Sequence, residues 1–378
     1  MRILSLIIVF YLFIFFISPV LAIYDPLQIP NNKIGIHILF PSELHEAAKL
    51  VNNSDQAAWG YILVPIQASD RNRKKWQNFL DDCRVERVIP IIRVATVPEG
   101  SSWIQPNSFD LIDFANFLND LKWPVQNRYI ILFNEVNRPD EYGGTVSPES
   151  YADILSNAID IFKERSADFF ILPAGLDNAA ANYGGALSWS TYLNRMYRAR
   201  PDIFSKIDGW TSHAYPNPEF SARPDKSGGN KIDSYRYDLK YLKKFTSKTL
   251  PVFITEAGWS NKNLSDRQVS LYYQYAFSKV WSDPQIVAIT PFLFNAQDGP
   301  FKQFSFLDQN HKLKEFSYNL SVLATVGQPV IVALEVPPEI IEAPVVIDKP
   351  IPVAEKPTPF KDLNKLYSNI KSLFGLTN

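Results

Sequence analysis

The 378-residue chain contains a single cysteine, Cys83. One thiol cannot close an intrachain disulfide, and a cysteine-based metal site is excluded with it. The four histidines, His37, His45, His213 and His311, are scattered and show no close ligand spacing of the HExxH kind. Charge balances to a net −1, so no basic surface argues for nucleic acid. No Gly-rich GxGxxG turn follows the first apolar run after the N-terminal segment, which removes the commonest mark of a doubly wound sheet. Neither a metal nor an organic cofactor is expected.

Apolar and aromatic residues are plentiful. The chain is 46% hydrophobic and carries 8 Trp, 18 Tyr and 26 Phe, enough for a large core, which is where most of these rings belong. Ile3 to Ala22 is almost wholly apolar behind Arg2, and Pro19 precedes the small-residue site Val20-Leu21-Ala22. Residues 1–22 therefore read as a signal peptide cut near Ala22 or as an uncleaved membrane anchor, long enough at about 1.5 Å per helical residue nearly to cross a bilayer. Either reading places the rest of the chain outside the cytoplasm, secreted or held at the cell surface.

Residues 31–327 alternate short apolar runs with longer amphipathic ones. The strand candidates are residues 34–39, 60–65, 88–94, 129–135, 169–174, 209–215, 251–256 and 287–294. Most are too apolar for half-exposed strands, as expected of parallel strands covered by helices. Helical stretches lie between them; the one opening at Ser147-Pro148 has a capping Ser and a Pro in its first turn. Eight such repeats predict a (β/α)₈ barrel, with a doubly wound open sheet as the alternative. Eight prolines then punctuate residues 329–359, so 328–360 is expected to be an extended linker, or an arm in which residues 330–336 pair at an edge. The last segment, 361–378, places Leu363, Leu366, Tyr367, Ile370, Leu373 and Phe374 on one helical face. It is expected to dock on a partner, on a membrane or back on its own domain.

Two strings carry the chemistry. ILFNEVN, residues 131–137, and VFITEAGW, residues 252–259, each read as a buried strand stopping on a glutamate, Glu135 or Glu256. An apolar run ending in a charge is how a barrel strand enters an active site at its C-terminal end. Glycoside hydrolysis needs two carboxyl groups presented this way, one to protonate the leaving oxygen and one to attack the sugar carbon.

The paired motif, Asn134-Glu135 ending strand four and Glu256 ending strand seven, resembles glycoside hydrolase clan A, a group of retaining (β/α)₈ enzymes. The resemblance covers about residues 31–326. It implies that Glu135 is the acid/base, that Glu256 is the nucleophile, and that Asn134 hydrogen-bonds the sugar 2-hydroxyl. Clan members often carry an arginine, a histidine or a tyrosine near the nucleophile, which points to Arg93, His213 and Tyr215. His37 is read as a substrate contact or a satisfied core histidine. Trp259 is read as a cleft wall, with core filler as the alternative; Asn137 and Glu141 are loop residues that would touch substrate or simply be solvated. Many clan members end strand eight on a tryptophan; here Phe294 or Asn295 occupies that region, and Asn295 is taken as a substrate-side residue. The implied substrate is a β-linked oligo- or polysaccharide, or a glycoconjugate. The rival reading is a carbohydrate-binding surface protein on an inactivated barrel, and a weaker one is a transglycosylase.

Overall fold

The computed structural model describes residues 23–29, 33–52, 59–296, 299–317, 320 and 329–332. Residues 1–22 and 361–378, with the separate roles expected for them, lie outside the described residues. Eight strands form one sheet: β1 (Lys33–His37), β2 (Gly60–Gln67), β3 (Val88–Ala95), β4 (Arg128–Leu132), β5 (Phe169–Pro173), β6 (Trp210–His213), β7 (Val252–Glu256) and β8 (Ile286–Ile289). Their hydrogen-bonded order is β5-β4-β3-β2-β1-β8-β7-β6 and every neighbouring pair is parallel.

The two end strands close on each other through a few specific bonds. Asp208 does most of this: its amide donates to the Ile171 carbonyl at 3.0 Å, and its carboxylate accepts the Ile171 amide at 2.7 Å. Thr211 Oγ1 donates to the Pro173 carbonyl at 2.8 Å, and Asp177 bridges His213 in parallel. The open-sheet alternative is thereby excluded, and the predicted (β/α)₈ barrel is the fold.

Side-chain alternation explains why both faces are apolar. Tyr61, Leu63, Ile89, Ile91, Tyr129 and Ile131 form one buried cluster, and the intervening Ile62, Val64, Ile92, Val94, Ile130 and Leu132 belong to another. The first fills the barrel; the second meets the helices. A period of two with both faces buried gives the continuous apolar runs seen in the sequence.

Among the described residues the α-helices of eight residues or more are α1 (Leu44–Val51), α2 (Arg73–Val85), α3 (Ser108–Asn119), α4 (Pro148–Arg165), α5 (Trp189–Ala199), α6 (Ser234–Leu242) and α7 (Asp266–Tyr275). Their starts are written locally. Asn72, Asn107, Ser147, Ser188 and Ser265 each accept a backbone N–H of the first turn, and Asp110 and Gln268 complete capping boxes. The second helix starts at Arg73 because Asn72 is the capping residue. In the stretch expected to form an eighth helix the described residues show a 3₁₀ turn, Glu315–Ser317, and Leu320.

The described part of the stretch read as a linker or an edge-pairing arm is residues 329–332. Residues 329–332 lie along the barrel: Ile331 bridges Val125 in antiparallel fashion, and the Gln126 amide donates to the Val330 carbonyl at 2.9 Å. Val and Ile favour the extended backbone that such a bridge needs.

Candidate active site

The C-terminal ends of five strands deliver one polar cluster. His37 ends β1, Arg93 lies near the end of β3, His213 ends β6 and Glu256 ends β7. Arg93 shares the inward parity of Ile89 and Ile91, so its guanidinium rises from the apolar filling into the mouth of the barrel. The sequence extends the fourth strand to Glu135, but β4 stops at Leu132. Phe133 and Glu135 adopt φ values of 73° and 31°, in or near the left-handed region that non-glycine residues avoid. Two bonds hold this turn: Phe133 N–H to the Val94 carbonyl at 3.1 Å and Glu135 N–H to the Gly175 carbonyl at 2.9 Å. Strain of this sort persists where surrounding contacts over-determine it, and it collects at functional sites.

The two carboxylates converge. One oxygen each from Glu135 and Glu256 and a ring nitrogen of His213 all lie within 4.8 Å of one another. Around Glu256, Arg93 Nη1 donates to Oε1 at 2.7 Å and the Tyr215 hydroxyl donates to Oε2 at 2.9 Å. Arg93 Nη1 also donates to Asn134 Oδ1 at 2.7 Å, which leaves the Asn134 amide to act as a donor. His213 Nδ1 sits 2.9 Å from Glu135 Oε1 and 3.8 Å from Glu256 Oε2, between the two acids. Arg138, three residues past Glu135, reaches Glu135 at 3.3 Å and Asp140 at 2.7 Å.

This environment sets charge states. Burial alone would raise the Glu256 carboxyl, but the charges of His213 and Arg93 outweigh it and hold the group at about 2. Burial lowers His213, yet the neighbouring Glu256 and Glu135 overcome that and raise it above the ordinary histidine range. His37 goes the other way: burial first, then the charge of Arg93, push it down to about 3. It is a neutral imidazole 3.8 Å from Glu256 Oε1, and among the described residues neither ring nitrogen has a hydrogen-bond partner. Tyr215 is raised by burial and by Glu256, so it stays a neutral donor. The Glu135–His213–Glu256 trio has the spacing to chelate a cation. The guanidinium groups of Arg93 and Arg138 already bring positive charge to both carboxylates, which fits a metal-free site better.

Several residues sit elsewhere than the sequence suggests. Trp259 is a core residue, 1% exposed, with its ring against Tyr272, Tyr273 and Trp281 and its Nε1 donating to the Ala222 carbonyl at 2.8 Å. It belongs to the core cluster between strands and helices, so this indole lies in the helix layer. Asn137 is fully buried and ties two loops together, accepting from Asp177 N and donating to the Asp177 and Leu187 carbonyls. Glu141 stays at the rim, half-buried, and burial with the nearby Glu135 and Asp140 pushes it up to about 8. After β8, Phe294 is buried in the helix-side core and Asn295 lies partly exposed further on. The ring beside the acids is Phe292, edge-on to His37 with centroids 5.2 Å apart.

Three contributors escaped the sequence reading: Arg138, Phe292 and Gly175. The position of Arg138 three residues after Glu135 was the available signal for the first. Gly175 carried none. A Cβ there would lie 2.3 Å from His213 Nε2 and Cδ2, and its carbonyl holds Glu135. Gly175→Ala is therefore expected to push His213 off both carboxylates and lower kcat/KM by about 10²-fold, the loss typical of an ångström-scale misplacement. Steady-state kinetics beside a thermal unfolding curve checks this, and unchanged kinetics in a folded variant would remove His213 from the machinery.

No family model matches the sequence. No curated protein matches it either. Solved structures do match. A family 39 glycoside hydrolase from Bacteroides cellulosilyticus WH2 superposes with a TM-score of 0.53 at 18% identity, covering 81% of this chain and 65% of that one. A GH128 (subgroup II) endo-β-1,3-glucanase from Pseudomonas viridiflava gives 0.51 at 14% identity, over 79% of this chain and 100% of the other. A GH5_18 structure from Bifidobacterium longum subsp. infantis gives 0.56 at 12% identity, with 80% of each chain covered. The chain thus spans a little under two thirds of the first of these and shares with all three the (β/α)₈ fold read from its own strand order.

Proposed function

We propose that the chain is a retaining glycoside hydrolase acting on a β-linked glycan or glycoconjugate by double displacement, with Glu135 as acid/base and Glu256 as nucleophile. The observation that carries this reading is the approach of the two acids, with oxygens no more than 4.8 Å apart across a shared mouth. That gap suits a retaining pair, whose carboxyls stand about 5–5.5 Å apart, and leaves no room for the water of an inverting enzyme at about 6.5–9.5 Å.

The roles follow from surroundings. Glu256 is ionised at any pH well above 2 and attacks the anomeric carbon, while Glu135 gives its proton to the departing glycosidic oxygen. The bond from Glu256 to carbon forms as the bond from carbon to the aglycone oxygen breaks. Glu135 then takes a proton from water, and the resulting hydroxide releases the sugar and restores Glu256. Arg93 and Tyr215 bind different oxygens of Glu256, which fixes the attacking carboxylate without a rotamer search. Asn134, oriented by Arg93, presents its amide to the sugar 2-hydroxyl, a contact that accelerates the reaction to the extent that it tightens in the transition state. The neutral His37, with both ring nitrogens unpartnered, can donate one hydrogen bond to a sugar hydroxyl and accept another. Phe292 supplies an aromatic wall beside it.

The decisive experiment is a mechanism-based trap. A panel of 2-deoxy-2-fluoro-β-glycosides with good leaving groups, followed by peptide mapping, is expected to place the label on Glu256. Label on another residue ends the assignment. Glycan binding without label or turnover across the panel favours the inactive carbohydrate-binding barrel, and product analysis with an added sugar acceptor separates hydrolysis from transglycosylation.

A further inference from the structure

Just past Glu135 the chain makes a turn, residues 138–144, that is held by several bonds. Arg138 is its hub. Nε and Nη2 donate to the two oxygens of Asp140 at 3.1 and 2.7 Å, and Nη1 lies 3.3 Å from Glu135 Oε2 and 3.7 Å from Asp177 Oδ2. The backbone closes through Glu141 N–H to the Arg138 carbonyl at 3.3 Å and Gly144 N–H to the Pro139 carbonyl at 2.8 Å. Gly143 and Gly144 take φ values of 69° and 76°, a left-handed backbone that glycine adopts without strain.

Two neighbouring loops brace this turn. After β3, Pro98–Glu99 pairs with Ser102–Trp103 in an antiparallel hairpin, and the Trp103 carbonyl accepts the Gly143 N–H at 2.7 Å. After β5, Asn137 binds the Asp177 and Leu187 carbonyls at the two ends of the loop, and a Cβ on Gly185 would lie 3.6 Å from Pro139 Cγ. Each brace carries an accessible aromatic ring, Trp103 half-buried and Tyr183 87% exposed. Such rings offer flat amphipathic surface to a ligand.

One acid of the turn takes no part in holding it. Glu141 is half-buried, yet among the described residues its carboxyl makes no hydrogen bond and no close ion pair, whereas Asp140 next to it makes both. The charges that act on Glu141 are those of the site. Glu135 and Asp140 weigh most, then Arg138, and Arg93, beside Glu256, weighs least. Glu141 therefore stands on the Glu135 side of the mouth. Burial and the two acids push it up to about 8, so at neutral pH it is a carboxylic acid that can donate one hydrogen bond and accept others. The fold uses Asp140 to build the turn and leaves the hydrogen bonds of Glu141 for a ligand.

Glu135 protonates the oxygen that departs, so the space on its side of the mouth belongs to the leaving group. Resting on the roles given above to Glu135 and Glu256, we propose that the turn 138–144 forms a subsite for a leaving-group sugar and that Glu141 binds a hydroxyl of that sugar. The substrate class follows: a glycan that continues through at least one pyranose beyond the scissile bond, in preference to the glycoside of a small or apolar aglycone.

Reactivation of the trapped enzyme reads this subsite directly. The full chain is converted to its 2-deoxy-2-fluoroglycosyl form on Glu256, freed of reagent, and its recovery is followed with increasing cellobiose, laminaribiose, β-1,4-mannobiose or β-1,4-xylobiose. An acceptor hydroxyl attacks the anomeric carbon, Glu135 takes the hydroxyl proton, and the bond from carbon to Glu256 breaks, so the acceptor must occupy the leaving group's place. Wild-type recovery is expected to rise and saturate with at least one of these sugars. Glu141→Ala is expected to need about tenfold more of that sugar for half-maximal recovery, the scale of one lost hydrogen bond. Glu141→Gln keeps a donor and an acceptor and is expected to stay within about threefold of wild type. In steady state, Glu141→Ala is expected to lose about tenfold more kcat/KM on the disaccharide than on the nitrophenyl β-glycoside of the same sugar. No acceleration by any acceptor, an unmoved half-maximal concentration in a folded Glu141→Ala, or equal losses on the two substrates each overturns the subsite and leaves the roles of Glu135 and Glu256 standing. Failure to form a trapped adduct falls on those roles instead. The same disaccharides are then titrated by calorimetry, and binding that Glu141→Ala leaves unchanged, or no binding at all, overturns the subsite as well.

Discussion

Glu256→Gln is expected to abolish turnover, with kcat falling on the order of 10⁵-fold, the scale seen when a covalent nucleophile is removed. The amide keeps the shape of the acid but has no charge with which to attack carbon. It also strands Arg93, whose Nη1 donates to Glu256 Oε1 at 2.7 Å with both side chains largely buried. Breaking a buried ion pair from one side costs about 3–5 kcal/mol, so a drop in melting temperature is expected alongside the kinetic loss. Glu256→Asp separates the two effects. It keeps the charge beside Arg93 but draws the carboxylate back by about one methylene, for which a loss of at least 10²-fold is expected. A folded Glu256→Gln that turns over aryl glycosides at a tenth of the wild-type rate would end the nucleophile assignment. The wild-type acid limb gives a further check on sign. Glu256 works as the anion and is held at about 2, so its protonation lowers activity only as pH falls toward that value. Removing Arg93 lifts the same limb toward neutrality, because the positive charge that favoured the anion is gone.

Glu135→Gln is expected to give the second largest effect, and one that depends on the leaving group. For a sugar aglycone, which needs a proton to depart, kcat/KM is expected to fall about 10³–10⁴-fold, near the upper end of what general acid catalysis contributes. For an activated nitrophenyl aglycone the first step needs little protonation. Glycosylation is then expected to persist while deglycosylation, deprived of its base, becomes limiting. The covalent species accumulates, and intact-protein mass spectrometry sees it as one added glycosyl unit. Azide, a nucleophile that needs no deprotonation, is expected to restore turnover and yield the β-glycosyl azide. Equal losses for both kinds of leaving group, with no accumulated adduct and no azide effect, would remove Glu135 from the acid/base role. The variant keeps the fold-holding contact at this position, since the backbone N–H of residue 135 still reaches the Gly175 carbonyl.

The parts of this site legible in the sequence are those whose signal is local. Asn134-Glu135 and Glu256 each follow an apolar run, and Arg93 interrupts one, because a barrel strand must change from core to mouth within one or two residues. Trp259 shows the limit of that logic. It stands three residues beyond Glu256, on the active side by position, yet its indole packs against Tyr272, Tyr273 and Trp281; the direction of a loop side chain depends on which helix it meets. The strand-eight region failed for a similar reason. Phe292, Phe294 and Asn295 are equivalent as a string, and only the placement of the His37 ring distinguishes Phe292.

By itself the sequence determined the number of barrel strands, the start of the long helix capped by Ser147, and the two strands that lead into the acids. Each of these rests on neighbours a few positions apart, where hydrophobic period and hydrogen-bonding side chains act directly. Tertiary structure alone decided that the acids meet, that His213 stands between them, that Gly175 must lack a Cβ to let it, and that Asp208 and Thr211 close the barrel seam. Those contacts join residues tens to more than a hundred positions apart, and no periodicity along the chain encodes a distance between such residues; only closure of the barrel brings them within reach.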